Sequence, residues 1–122
     1  MSDKYILDAD GKTPKLEPDP MKWVRWLAEA NRRVARTQVG VLTVSTVFLG
    51  IDHNFRSGGD PLLFETMIFL TPSLTKKRRT LRPSLKDIGY QTRCSTWQQA
   101  EAMHKRAVAN AKRRKKREEA EK

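Results

Sequence analysis

Cysteine is almost absent from this chain. Cys94 stands alone, which excludes an internal disulfide and a cysteine-built zinc cluster. A lone thiol suits a reducing compartment. Histidine is nearly as scarce, limited to His53 and His104. There is no serine nucleophile elbow, no phosphate-cradling glycine loop and no dinucleotide-binding fingerprint, and Gly58-Gly59 reads as a turn pair. Long apolar runs are also missing. The longest apolar region, Val39 to Ile51, is interrupted by Thr43, Ser45 and Thr46. It is too short and too rich in β-branched residues for a membrane span. The first residues, Met-Ser-Asp-Lys, lead into no apolar run of signal-peptide length. The expected location is therefore the cytosol, without membrane contact.

Acidic residues are outnumbered. The 122 residues carry 14 Asp plus Glu against 25 Lys plus Arg, a net charge of +11. The excess is uneven. Residues 1–20 and 37–75 are each net −2, whereas residues 21–36 are +4, residues 76–93 are +6 and residues 94–122 are +5. Basic character is thus confined to three segments, a distribution that speaks to association with polyanions rather than to fold. A chain of this length forms one domain. It buries roughly two-thirds of its unfolded surface, so it needs neither metal nor disulfide to hold a core.

The pattern along the chain predicts an α+β fold. Lys4–Leu7 is a short edge strand closed by a turn at Asp10-Gly11, followed by an extended stretch with Pro14, Pro18 and Pro20. Asp19 as N-cap and Pro20 at the first helical position open a helix. Its apolar face runs through Trp23, Trp26, Leu27, Ala30 and Val34, and its polar face through Lys22, Arg25, Glu29, Arg32, Arg33 and Arg36. Thr37–Ile51 reads as one long strand, or two joined by a bend near Gly40. Asp52–Pro61 is a turn, and Leu62–Thr71 returns antiparallel. Residues 72–86, with Pro72, Pro83 and the run Lys76-Lys77-Arg78-Arg79, are expected as a mobile basic loop. Ile88–Arg93 is the next strand. Ser95 or Thr96, with Gln98 or Gln99 three residues on, caps a last helix whose inner face is Trp97, Ala100, His104, Ala107, Val108 and Ala111. The expected whole is a two-layer domain over residues 1–111, with an antiparallel sheet of three or four strands packed against two helices. Residues 112–122 form a charged C-terminal extension, helical but frayed.

Several blocks occur in order: Lys4-Tyr5-Ile6-Leu7-Asp8-Ala9-Asp10-Gly11-Lys12, Val44-Ser45-Thr46-Val47-Phe48-Leu49-Gly50 with Asp52-His53, Leu63-Phe64-Glu65-Thr66-Met67, and Ser95-Thr96-Trp97 with Ala100-Glu101 and His104. Together they resemble a widespread family of small bacteriophage and prophage proteins, mostly uncharacterised. The resemblance spans about residues 4–70 and 90–108. It implies a compact α+β fold and a phage or mobile-element origin, hence a host-cell cytosol. It implies no activity, so no catalytic residue carries over. The basic loop 72–86 and the basic stretch after Val108 depart from the family pattern.

The most site-like group is Asp52, His53 and Glu65. A histidine with two carboxylates can hold a divalent metal or do acid–base chemistry. The spacing is not a metal motif, and adjacent strand residues point to opposite faces. The preferred reading is a turn in which Asp52 fixes the hairpin end, His53 is exposed and Glu65 balances local basic charge. His104 and the Trp23/Trp26 pair sit on apolar faces and read as packing residues. Arg93 and a following helix start would lower the Cys94 pKa, but no base partner is identifiable.

The preferred function is a non-enzymatic accessory protein, phage-derived, that binds nucleic acid or a ribonucleoprotein electrostatically and uses no cofactor. Lys76, Lys77, Arg78, Arg79 and Arg82 are one set of expected contacts. Lys112, Arg113, Arg114, Lys115, Lys116 and Arg117 are a second, and Arg32, Arg33 and Arg36 a third. Phosphate contacts of this kind set affinity and carry little sequence information. One alternative is a host-directed interaction protein, such as an anti-CRISPR-like inhibitor of a defence nuclease or an inhibitor of a polymerase. A second is a small metal-dependent enzyme built on Asp52, His53 and Glu65. The loop assignment has a direct test. Limited trypsin digestion should cut at Lys76–Arg79 before any site in the core, and resistance there would overturn the assignment.

Overall fold

The computed structural model describes residues 3–54, 58–71 and 87–120. The expected basic loop, residues 72–86, lies outside the described residues. The element order is β1 (Tyr5–Leu7), β2 (Pro14–Leu16), α1 (Pro20–Glu29), β3 (Arg33–Val39), β4 (Leu42–Phe48), β5 (Phe64–Leu70), β6 (Asp87–Cys94) and α2 (Trp97–Ala120). Strands β3-β4-β5-β6 form an antiparallel meander, and β1-β2 a separate two-stranded ribbon. The chain is an α+β fold, as its patterning predicts.

The β1–β2 turn is set by Asp10. Its carboxylate accepts the Lys12 and Thr13 backbone N–H groups at 2.8 Å each and the Thr13 hydroxyl at 2.5 Å. The Thr13 side chain, then these backbone bonds, hold the Asp10 carboxyl down at about 2. Helix α1 starts as expected, with Asp19 Oδ1 accepting from Met21 N at 2.9 Å and Pro20 at the first position. It ends earlier than its spacing suggests. Ala30 is already extended, with φ −81° and ψ 147°. Asn31 Oδ1 accepts the Arg33 N–H at 3.1 Å and turns the chain into β3. Val34, Arg33 and Arg36 are therefore strand residues, not members of the helix. The local alternation Val34/Ala35, Thr37, Val39 finds a complete hydrogen-bonded partner in β4, and that ladder prevails over a helical spacing coincidence.

The bend expected near Gly40 is a two-residue hairpin. Val39 pairs with Leu42 across Gly40-Val41, and Gly40 has φ +60°. Glycine first and positive φ there alone is the pattern of the II′ turn, whose twist matches the strands it joins. Strand β4 pairs residue for residue with β5, from Leu42↔Leu70 to Phe48↔Phe64.

Helix α2 lies across one face of the sheet and touches all four strands. Alternation directs Leu42, Val44, Thr46 and Phe48 of β4, and Phe64, Thr66 and Ile68 of β5, toward it, and all seven are buried. The apolar core is in two parts. One joins Val39, Leu42, Val44 and Ile68 to Ala107 and Ala111. The other joins Leu7, Phe48, Leu63 and Phe64 to Ala100, with Trp26 and Trp97 at its border. Trp26 meets Phe48 edge-on at 5.7 Å, and Trp97 meets Phe64 edge-on at 6.2 Å. The Trp23 indole N–H donates to the Gly50 carbonyl at 2.9 Å. All three tryptophans are half-buried and held by these contacts.

Between the two apolar parts runs a polar belt. His104 Nδ1 lies 2.7 Å from the Thr46 hydroxyl, and Nε2 lies 2.9 Å from that of Thr37. Thr46 in turn bonds Thr66 at 2.5 Å. One imidazole thus links α2 to β3, β4 and β5. Satisfied buried polar groups of this kind fix one register where apolar contacts alone would tolerate a slip. Burial lowers the His104 pKa from its ordinary value near 6.5. The unfolded chain then binds the proton more readily than the folded one. The stability from neutral His104 is complete above about pH 6.5 and is lost as pH falls through the lowered folded value. Thermal melts between pH 7.5 and 5 should show a falling Tm, and His104→Gln should flatten that fall. Parallel profiles for the two proteins would rule out His104 as its source.

Candidate nucleic-acid interface

Helix α2 is started by reciprocal capping. The Thr96 hydroxyl accepts the Gln99 N–H at 3.1 Å, while Gln99 Oε1 accepts the Thr96 and Ser95 N–H groups at 3.2 and 3.0 Å. Of the two candidate boxes, the structure uses the one from Thr96 to Gln99. Buried residues then follow at helical spacing: Ala100, Met103, His104, Ala107 and Ala111. With that face fixed inward, Lys105, Arg106, Lys112, Arg113 and Lys116 are fixed outward, and all are exposed. No acidic residue occurs between Ala102 and Arg117. Eight exposed cations stand on the helix from Lys105 to Arg117, a span of about 18 Å, the six from Lys112 to Arg117 on all its sides. The helix stays regular through Ala120, so this run is a helical arm. Cations near a helix C-terminus are also favoured by the dipole.

Part of the arm has a second wall. Lys112, Lys115 and Lys116 line an open cleft of about 420 Å³ together with Gln38, Val39 and Gly40 of the β3–β4 hairpin tip. The Lys115 stem lies so close to Gly40 that an added Cβ would sit 3.1 Å from it. Gln38 is held in place by donating to the Gly40 carbonyl and the Thr71 hydroxyl, each at 2.7 Å. Lys105, Arg106 and the hairpin tip were not singled out from sequence. The first two were legible in it, because 105/106, 112/113 and 116/117 repeat at helical spacing.

The other expected contacts are distributed differently. Lys76, Lys77, Arg78, Arg79 and Arg82 lie outside the described residues. Arg32 is exposed in the α1–β3 connection. Arg33 and Arg36 belong to β3 and are in register with Val47 and Ser45, which face away from α2. They share that face despite their three-residue spacing because the pairing shifts between Arg33 and Ala35. The sheet thus separates these two arginines from the α2 arm.

Asp52, His53 and Glu65 are not assembled into one site. Asp52 Oδ1 accepts the Asn54 and Leu62 N–H groups at 2.8 and 2.9 Å and ties down the β4–β5 connection. His53 is half-buried rather than exposed, with Nδ1 2.9 Å from the Ile51 carbonyl. Glu65 bonds Arg93 at 2.8 Å and Gln91 at 2.7 Å on the sheet. Among the described residues, no group of three or more His, Cys, Asp or Glu side chains has metal-binding geometry. The Cys94 expectation is also corrected. Burial pushes the thiol pKa up and outweighs the Thr96 backbone contact and the Arg106 charge. Among the described residues, no helix is long and apolar enough to cross a membrane.

Comparison with protein-family models, with curated proteins and with solved structures gives no match. The Asp52 assignment generates a prediction. Asp52→Ala should lower stability by about 1–3 kcal/mol by stranding two backbone donors, read as a lower midpoint in urea. Added Zn²⁺ or Mn²⁺ should leave the wild-type midpoint unmoved. A metal-dependent rise that Asp52→Ala abolishes would restore the metal reading.

Proposed function

We propose that this is a non-enzymatic, phage-derived accessory protein that binds nucleic acid or a nucleoprotein through its basic segments. The observation that carries the reading is the α2 arm. Eight exposed cations on one helix, six of them consecutive and with no acid among them, make a positive arm on a support anchored in the core. Because the backbone is already helical, docking orders fewer degrees of freedom than it would in a coil. The cleft at the hairpin tip lets three lysines approach one phosphate group together with the turn. The resemblance to small phage proteins supports the proposed origin. The basic segment 76–82 supports the charge argument from sequence alone.

A second reading, a host-directed interaction protein, is favoured by one observation. Met21 and Val24 of α1 are 67% and 52% exposed, an apolar stripe that suits a protein partner better than a phosphate backbone. Loss of binding to bare nucleic acid with capture of one host enzyme would favour it.

The nucleic-acid reading is tested by fluorescence anisotropy across salt. Log affinity should fall with log salt at about −0.7 to −0.9 per phosphate contact. Four to six contacts would give a slope of roughly −3 to −5. Changing Lys112, Lys115 and Lys116 together to Gln should flatten it by about two to three while leaving the melting curve intact. Changing Lys76, Lys77, Arg78 and Arg79 together should do likewise. Absence of binding at low salt would defeat the proposal.

A further inference from the structure

The cations of helix α2 are ordered around its axis. Its inward face, with Ala100, Met103, His104, Ala107 and Ala111, is buried. Opposite that face stand Ala102 and Ala109, both exposed. At about 100° per residue, Lys105, Lys112 and Lys116 fall roughly 20–60° to one side of Ala109. Arg106, Arg113 and Arg117 fall roughly 40–80° to the other side. All six are exposed.

The helix thus presents a low crest of two alanines between a lysine row and an arginine row. No acid interrupts either row, because none occurs between Ala102 and Arg117. The other two cations of the run lie outside the rows. Arg114 Nε donates to Asn110 Oδ1 at 2.6 Å, and the Lys115 stem rests beside Gly40 at the hairpin tip. The six residues that follow Ala111 are all exposed, so the rows continue past the buried part of the helix.

Resting on the nucleic-acid reading above, we propose that the exposed crest of α2 lies in the major groove of B-form duplex DNA. The lysine row faces the phosphates of one strand and the arginine row those of the other. Two rows call for two lines of phosphate, one on each side of the helix, and a single strand supplies only one. The sizes agree. A helix with its side chains is about 10–12 Å across. The major groove of B-form DNA is about 12 Å wide and about 8.5 Å deep. The A-form groove of duplex RNA is too narrow for side chains to read. Alanine on the crest lets the backbone approach the groove floor. A long side chain there would hold the helix off and draw both rows away from their phosphates. The rows extend about 18 Å, which faces roughly five phosphates on each strand. Contacts of this kind position the helix in the groove and carry no sequence information themselves.

The test uses the full chain and four fluorescein-labelled probes read by anisotropy at equal salt. They are a 20-base-pair DNA duplex, the same duplex with glucosylated hydroxymethylcytosine on both strands, a 20-base-pair RNA duplex and a dT 20-mer. The glucose units fill the major groove and leave every phosphate in place. Wild type should bind the plain DNA duplex at least about tenfold more tightly than any of the other three. Changing Lys105, Lys112 and Lys116 together to Gln should flatten the salt slope on that duplex by about two to three. Changing Arg106, Arg113 and Arg117 together to Gln should flatten it as much. Both variants are melted alongside, and the glucosylated probe tests wild type even if a variant is unstable. Equal affinity for plain and glucosylated DNA would overturn the groove proposal while nucleic-acid binding stands. So would equal or tighter binding of the RNA duplex or the dT 20-mer, or a slope that only one row changes. Failure of wild type to bind any of the four probes would overturn the nucleic-acid reading and this one with it.

Discussion

Helix α2 rests on the sheet through its smallest side chains. Ala100, Ala107 and Ala111 are fully buried, and their size lets the helix axis approach the strands closely enough for His104 to reach two of them. Larger residues at those positions would lift the helix and break the His104 bonds to Thr37 and Thr46. The apolar clusters on either side of the belt supply most of the burial energy. The belt supplies selectivity, because a helix shifted by one turn would take the imidazole away from both the Thr37 and the Thr46 hydroxyls and bury it without them. Leu7 of β1 and Trp26 of α1 close one end of that face, and α2 spans all four strands, so most of the core rests on this one contact.

The same helix also carries the charge. A basic run on a flexible tail would repel itself and spread out. Here residues up to Ala111 are tied to the core, and the cations that follow continue the same helix. Mutual repulsion among them is offset by solvent screening and by the helix dipole. Folding and charge display are thereby coupled in one element. A mutation that loosens α2 would scatter these cations as well as weaken the core.

Much of this was legible in the sequence, for identifiable reasons. Caps are local chemistry, so Asp19-Pro20 and Thr96 with Gln99 marked both helix starts. The inner face of α2 followed from spacing alone. The end of α1 did not, because Val34 falls at helical spacing from Trp23 and Ala30 yet is claimed by β3, and that choice is made by β4, a partner distant in sequence. The placement of Arg33 and Arg36 on one face depends on a pairing shift, which no composition reveals. The grouping of Asp52, His53 and Glu65 was weighed against a turn, and the Asp52 part of that turn reading matches the structure. The turn reading missed the His53 contact with its own backbone. Its expectation that Glu65 balances basic charge matches the pair with Arg93, although the identity of that partner is set by register with β6. Cys94 was misjudged because a neighbouring cation is visible in sequence and burial is not.

The meander topology has one further consequence. Strands β5 and β6 are adjacent in space but separated by the 16 residues between Leu70 and Asp87. Closing a connection costs entropy only logarithmically, about 0.6 kcal/mol for each doubling of its length. Evolution can therefore lengthen, shorten or recharge that connection without disturbing any strand's neighbours. The sheet acts as a fixed frame on which that segment varies at low thermodynamic risk. Helix α2 has no such freedom where it crosses the core, since a single residue inserted between Ala100 and Ala111 would rotate the alanines beyond it by about 100° off the sheet.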